Sequence, residues 1–171
     1  MLKILGAIMI IFVCVSIGRL LAEELERRCR VLHDLQQGLL ALEREISYAA
    51  TPLPEALRIA ARSSASAASV FENAASKLRQ SRGINAQQAW EWALERAGYE
   101  LPLGAEDLSI LSAFGRGLGL SDMQDQIRRL ELSRQRLFSL EEEAQAHYRQ
   151  LGKVWKNLGW AAGIAIAIIS F

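Results

Sequence analysis

The chain has 171 residues, 51% of them hydrophobic, and its 20 basic and 19 acidic side chains nearly cancel. So even a balance gives no global field for nucleic acid, and the sparse aromatics do not alternate with basic residues as a stacking platform would. With three prolines and no alternating β-branched run, the composition predicts an all-α protein.

Ile4–Gly18 carries no charge, is bracketed by Lys3 and Arg19, and is extended by Leu20, Leu21 and Ala22. At 1.5 Å per residue this core falls short of a ~30 Å hydrocarbon slab, a gap that snorkelling of Lys3 and Arg19 can close. A cleaved leader is the rival reading. No convincing small-x-small cleavage site precedes Glu23, which favours a retained anchor. Asn157–Phe171 is also uncharged, with Trp155 and Trp160 where an interfacial belt would sit. Gly163-Ile-Ala-Ile-Ala-Ile-Ile169 is apolar all round, which suits lipid or a deep core. Arg19, Arg27, Arg28 and Arg30 follow the first segment, and Arg149, Lys153 and Lys156 precede the second, so the charge rule puts the middle of the chain in the cytoplasm. The expected organisation is a transmembrane signal anchor over 1–22, a cytoplasmic helical bundle over 23–156, and a second membrane segment over 157–171.

Between these ends the first predicted helix carries Leu21, Leu25, Leu32, Leu35, Leu39, Leu42, Ile46 and Ala49 at alternating steps of four and three, with Arg28 in the one vacant seam position. Thr51-Pro-Leu-Pro-Glu-Ala-Leu57 ends it and starts a second, with Pro54 in the first turn. That helix, with Leu57 and Ile59 on its apolar side, reaches about Arg62, and Ser63–Ser69 is read as a break or a tight helix contact. A third helix over Ala67–Gln80 turns Val70, Phe71, Ala74 and Leu78 inward and stops before Gly83. Asn85 and Gln88 have capping-box spacing for a fourth, ending at Gly98. Leu101-Pro-Leu-Gly104 is a linker. Glu106 and Asp107 suit the N-terminus of a fifth helix carrying Leu108, Leu111 and Phe114.

The fifth helix runs into Gly115, Gly117 and Gly119, and the spacing predicts a stop near Gly117 or Gly119, with φ > 0 or a close helix approach at Gly119. Ser121 then caps a long sixth helix, with Gln124 three residues on. Its seam is Met123, Ile127, Leu130, Leu137, Ala144, Tyr148, Leu151, Trp155 and Leu158, with Arg134 and Glu141 in the gaps. The result is a six-helix bundle whose two long outer helices pair antiparallel and continue into the membrane segments. Gly115, Gly119 and Ser121 form its structural turn. Arg116, Asp122 and Gln126 exceed what one turn needs for capping, and are the candidate partner contacts.

Nothing in the sequence argues for catalysis. Gly115-Arg-Gly-Leu-Gly119 lacks GxxxxGK[ST] and no strand precedes it, no GxSxG elbow exists, and His33 and His147 stand at no ligand spacing. Glu141-Glu-Glu143 reads as a solvated face. The expectation is no enzyme, no cofactor and no metal.

The chain resembles the stage III sporulation protein AB family of endospore-forming bacteria. The resemblance rests on the Met1-Leu-Lys-Ile-Leu-Gly-Ala opening, Leu42-Glu-Arg-Glu-Ile-Ser-Tyr48, Thr51-Pro-Leu-Pro-Glu-Ala-Leu57, Ala89-Trp90-Glu91, Phe114-Gly-x-x-Leu-Gly119 with Ser121, Asp122 and Gln126, and Leu158-Gly159. Departures are the extra Gly117 and the small Ala161-Ala162 pair. The resemblance implies a non-enzymatic component of the mother-cell-to-forespore channel, seated in the mother-cell membrane. It further implies a soluble part like the cytoplasmic domains of GspF-type secretion platforms. Implied partners are membrane lipid, a SpoIIIAA-like ATPase and other SpoIIIA membrane proteins, with homo-oligomerisation left open and no nucleic acid. The competing reading is a passive membrane-tethered scaffold without motor contact.

Overall fold

Six α-helices and no strand make up the described residues, 2–49, 51–81, 83–118 and 123–169 of a computed structural model. The helices are α1 (Leu2–Arg44), α2 (Leu53–Arg62), α3 (Ala68–Gln80), α4 (Ala86–Glu100), α5 (Ala105–Gly115) and α6 (Met123–Ile169). They divide into two compact units, Arg28–Glu142 and the two chain ends, Met1–Arg27 with Glu143–Phe171.

In the central unit Leu32, Leu35, Leu39 and Leu42 of α1 are fully buried, as the heptad predicts, and Leu130 and Leu137 of α6 are buried two turns apart. The run direction is antiparallel there. Glu43 pairs with Arg134, and Gln36 bonds Glu141, so numbers fall along α6 as they rise along α1. Ile46 is only partly buried and Ala49 is exposed, because α-helical geometry ends at Arg44 and Glu45–Ala49 widens into a π-helical segment. Pro52 has no N–H and disfavours the α region at Thr51. Thr51 instead returns its N–H to the Glu45 carbonyl (3.2 Å) and its hydroxyl to Glu45 Oε2 (2.6 Å).

α2 begins as expected, with Pro54 in its first turn, and buries Ala56, Leu57, Ala60 and Ala61, while Ile59 is half-buried. The Ser/Ala stretch after it is both a break and a tight contact. A 3-10 turn at Ala65–Ala67 links α2 to α3, and Ser64 is fully buried with its hydroxyl donating to the Ala60 carbonyl (2.9 Å). α1 supports this joint from below. Asp34 Oδ2 accepts from the Ser66 N–H (2.6 Å), and a Cβ at Gly38 would lie 2.5 Å from the Phe71 ring, so only glycine lets the joint rest there.

α3 buries Val70, Phe71 and Ala74 as expected, with Leu78 half-buried. The turn after it holds Gly83 at φ +90°. At α4 both halves of the capping box are made: Asn85 Oδ1 accepts from the Gln88 N–H (2.8 Å) and Gln88 Oε1 from the Asn85 N–H (3.2 Å). Asn85→Ala should therefore lower the unfolding free energy by about 1 kcal/mol, read from urea denaturation followed by circular dichroism. Asn85→Gly should cost only a few tenths. α4 does not stop at Gly98 but runs to Glu100. Gly98 packs on Leu108 as an ordinary helical residue, and the stop comes from Pro102, which pushes Leu101 to ψ 148°.

Phe71, Trp90 and Phe114 stack edge to face at the centre, with ring centroids 5.6 Å and 5.1 Å apart. Trp90 Nε1–H donates to the Leu111 carbonyl (2.8 Å), so its one polar atom is satisfied while the indole is fully buried.

In the other unit Gly18 and Ala22 of α1 and Ala144 of α6 are buried, and Tyr148 donates its hydroxyl to Glu26 Oε2 (3.3 Å). Met9, Phe12, Val13, Ile17, Leu20 and Leu21 stand exposed on one side of α1. Leu21, expected in the seam, belongs to this exposed face, and Leu25 is half-buried. The α6 seam positions Leu151, Trp155 and Leu158 lie outside the described side chains. Among the described residues no helix is long and apolar enough to cross a membrane.

Candidate partner-docking corner

The fifth helix ends earlier than its glycines suggest, and by a different device. α5 stops at Gly115 with Arg116 still in the αR region (φ −60°, ψ −21°). Two i→i+3 bonds close the turn, Gly117 N–H to the Phe114 carbonyl and Leu118 N–H to the Gly115 carbonyl, each 3.0 Å. Neither Gly115 nor Gly117 has positive φ; Gly83 is the glycine that does among the described residues. They are needed for room. A Cβ on Gly115 would run into the Trp90 indole, and one on Gly117 into the aliphatic stem of Arg129. The chain turns over the aromatic core here because Gly115 has no side chain to meet the Trp90 ring, while at Gly117 the obstacle is the movable stem of exposed Arg129.

Of the candidate contacts, Arg116 is exposed beside this turn and makes no ion pair among the described residues. Gly119, Ser121 and Asp122 lie outside the described residues, as does the side chain of Gln126. Leu118 is buried, and Ile46, Phe114, Leu130 and Arg129 line a crevice with it.

The charged seam positions all find partners within the central unit. Arg28, in the vacant position of α1, reaches Asp107, with Nη2 3.3 Å from Oδ2. Asp107 is fully buried, and the same Oδ2 accepts from the Gly104 N–H (2.6 Å), capping α5. Arg28 Nε is buried with no hydrogen bond, so this cation is incompletely satisfied. Arg134 pairs with Glu43. Glu141 is 7% exposed, which corrects the reading of Glu141–Glu143 as one solvated face; only Glu142 and Glu143 are exposed. Its carboxylate accepts from Gln36 Nε2 (2.6 Å) and lies 3.3 Å from His33 Nδ1. Buried groups of this kind fix one register, since a slip by one turn would strand a charge. Sequence reasoning found these positions but not their partners, which lie 79 to 108 residues away.

It missed one feature altogether. A groove between α5 and α6 is lined by Ile110, Ala113, Leu132 and Ser133, with Arg129 and Arg136 on its rim. Leu132 is 48% exposed, whereas Leu130, Leu137 and Leu140 of the same helix are buried, and its place off the seam was the available sequence signal.

The family model described as stage III sporulation protein AB matches residues 3–171. A protein of Bacillus subtilis (strain 168) named stage III sporulation protein AB is 30% identical over 169 residues, 99% of each chain. A solved structure of stage III sporulation protein AB (SpoIIIAB) superposes with a TM-score of 0.66 at 28% identity, covering 71% of this chain and 96% of that one. These names state a sporulation stage and no reaction. Matched from Lys3 to the last residue, the chain belongs to the stage III sporulation protein AB family.

Proposed function

We propose that this chain is a non-enzymatic inner-membrane platform subunit of the channel between mother cell and forespore, engaging a SpoIIIAA-like ATPase through the Phe114–Gln126 corner. The observation that carries the reading is the end-to-end family match. The exposed apolar side of α1, from Met9 to Leu21, supports contact with lipid. In this reading residues 1–22 and 157–171 anchor the chain in the mother-cell membrane, and 23–156 form a GspF-like domain on the cytoplasmic side. Other SpoIIIA proteins would surround it.

The corner supports a contact role because Arg116 is exposed on a turn whose backbone is fixed by the aromatic core beneath it. A charge at an interface rim sets association rate and orientation. Arg116→Glu should lower affinity for the ATPase about tenfold in pull-downs from detergent-solubilised membranes, with the melting temperature unchanged. Asp122→Lys should act in the same direction. Both variants should arrest sporulation after engulfment begins. Wild-type retention of the ATPase by both variants would remove the corner as the contact. Failure of the wild type itself to retain the ATPase would leave a passive tethered scaffold.

A further inference from the structure

We infer that the α5–α6 groove docks an acidic amphipathic helix of a partner protein, inserted with its apolar side on Leu132. The groove is concave, with about 150 Å³ of open space, several waters' worth and enough for an inserted side chain. Ile110 and Ala113 form one wall and Leu132 the other. Arg129 and Arg136 stand two turns apart on the rim, spaced to meet acids two turns apart on a partner helix. Among the described residues neither makes an ion pair, and no carboxylate lines the groove. Glu131, the acid nearest in sequence, lies in a different groove with Glu43 and Arg134.

Arg129 reaches the groove past Gly117. Its stem passes over Gly117, where a Cβ would collide with it, so the missing side chain leaves room for the arginine in this position. A groove with an apolar floor and a cationic rim receives an apolar ridge flanked by acids, the helix-in-groove mode. A bilayer surface would call for a convex apolar face, and a second copy of this chain would have to supply an acidic helix. The chain does carry exposed acids on α6, Glu131, Glu142 and Glu143, so the oligomeric state is one arm of the test. The inference rests on the platform reading only in taking this edge of the domain as partner-facing.

The test uses the full chain in detergent micelles and two synthetic helices of about 18 residues, long enough to hold a helix. One carries leucines flanked by glutamates, the other the same leucines flanked by lysines. The acidic helix should bind, and the basic one at least about tenfold more weakly. Arg129→Glu and Arg136→Glu should each weaken the acidic helix about tenfold, and the double variant should prefer the basic helix, at unchanged melting temperature. Gly117→Ala, which displaces Arg129 without touching charge, should weaken the acidic helix in the same assay. Equal binding of the two helices, or binding indifferent to the arginine reversals, overturns the inference. So does binding of phosphatidylglycerol vesicles that the double reversal abolishes without any helix preference. A shift in sedimenting mass caused by the double reversal would assign the groove to a second copy, and overturns it too. The readout is independent of the ATPase. Acidic-helix preference in a protein whose Arg116→Glu variant still retains the ATPase would sink the corner contact and keep the groove.

Discussion

Trp90→Ala should destabilise the protein by about 4 kcal/mol and lower its melting temperature by roughly 8–16 °C. The indole is fully buried and meets Phe71 on one side and Phe114 on the other. The α5 turn comes over it at Gly115, whose missing side chain is the space the ring occupies. Truncation therefore removes the contact shared by α3, α4 and α5, and leaves a cavity that two flanking rings cannot both collapse into. Trp90→Phe keeps much of the volume and loses the bond to the Leu111 carbonyl, so it should cost about half as much. Gly115→Val should approach the alanine variant from the opposite direction, by overpacking. Thermal melts followed by circular dichroism decide this. An alanine variant melting within about 2 °C of wild type would show that the aromatic trio is not the centre of the core.

Asp107→Ala should cost about 2–4 kcal/mol. This carboxylate does two jobs from a fully buried position: it caps α5 through the Gly104 N–H and faces the Arg28 guanidinium. Losing the cap is worth about 1 kcal/mol. Losing the counter-charge adds less than a wholly buried pair would, because the Arg28 side chain is 39% exposed and water screens it. Asp107→Asn keeps an acceptor for Gly104 and drops the charge, and should fall between. Arg28→Ala leaves the carboxylate buried without a cation, and should be about as costly as Asp107→Ala. A double-mutant cycle on Arg28 and Asp107 should then give a coupling of about 1 kcal/mol or more. Additive losses would mean that the pair does not couple, and that the cap alone accounts for Asp107.

Local chemistry was legible in the sequence and distant pairing was not. Asn85 and Gln88 announce their capping box because both partners lie within one turn. Pro52 and Pro54 announce the α1–α2 joint for the same reason. The seam leucines follow from periodicity alone. Arg28 and Glu141 were visible as polar residues in apolar positions, but their partners are set by the packing of other helices. At the glycine-rich corner Gly115 and Gly117 answer to close approach, and Gly119 lies outside the described residues. A sequence does not distinguish a glycine needed for left-handed backbone from one needed because something else occupies its side-chain space. At Gly115 that something is Trp90, 25 residues back, and at Gly117 it is Arg129. At Gly98 the same letter signals neither, and the helix passes through it.

The pairing of Glu43 with Arg134 spans 91 residues, and that distance is also a delay. During synthesis at roughly 5–20 residues per second, about 5–20 s separate the two side chains leaving the ribosome. Throughout that interval the α1 side bearing Gln36 and Glu43 has no α6 to meet it. The hairpins from α2 to α5 join neighbours in sequence and close short loops, so they are complete while the chain is still being made. The last helix to emerge therefore acts as a clasp on an assembled body, and a chain truncated before Leu130 would leave that side of α1 open to whatever chaperone or protease the cell supplies.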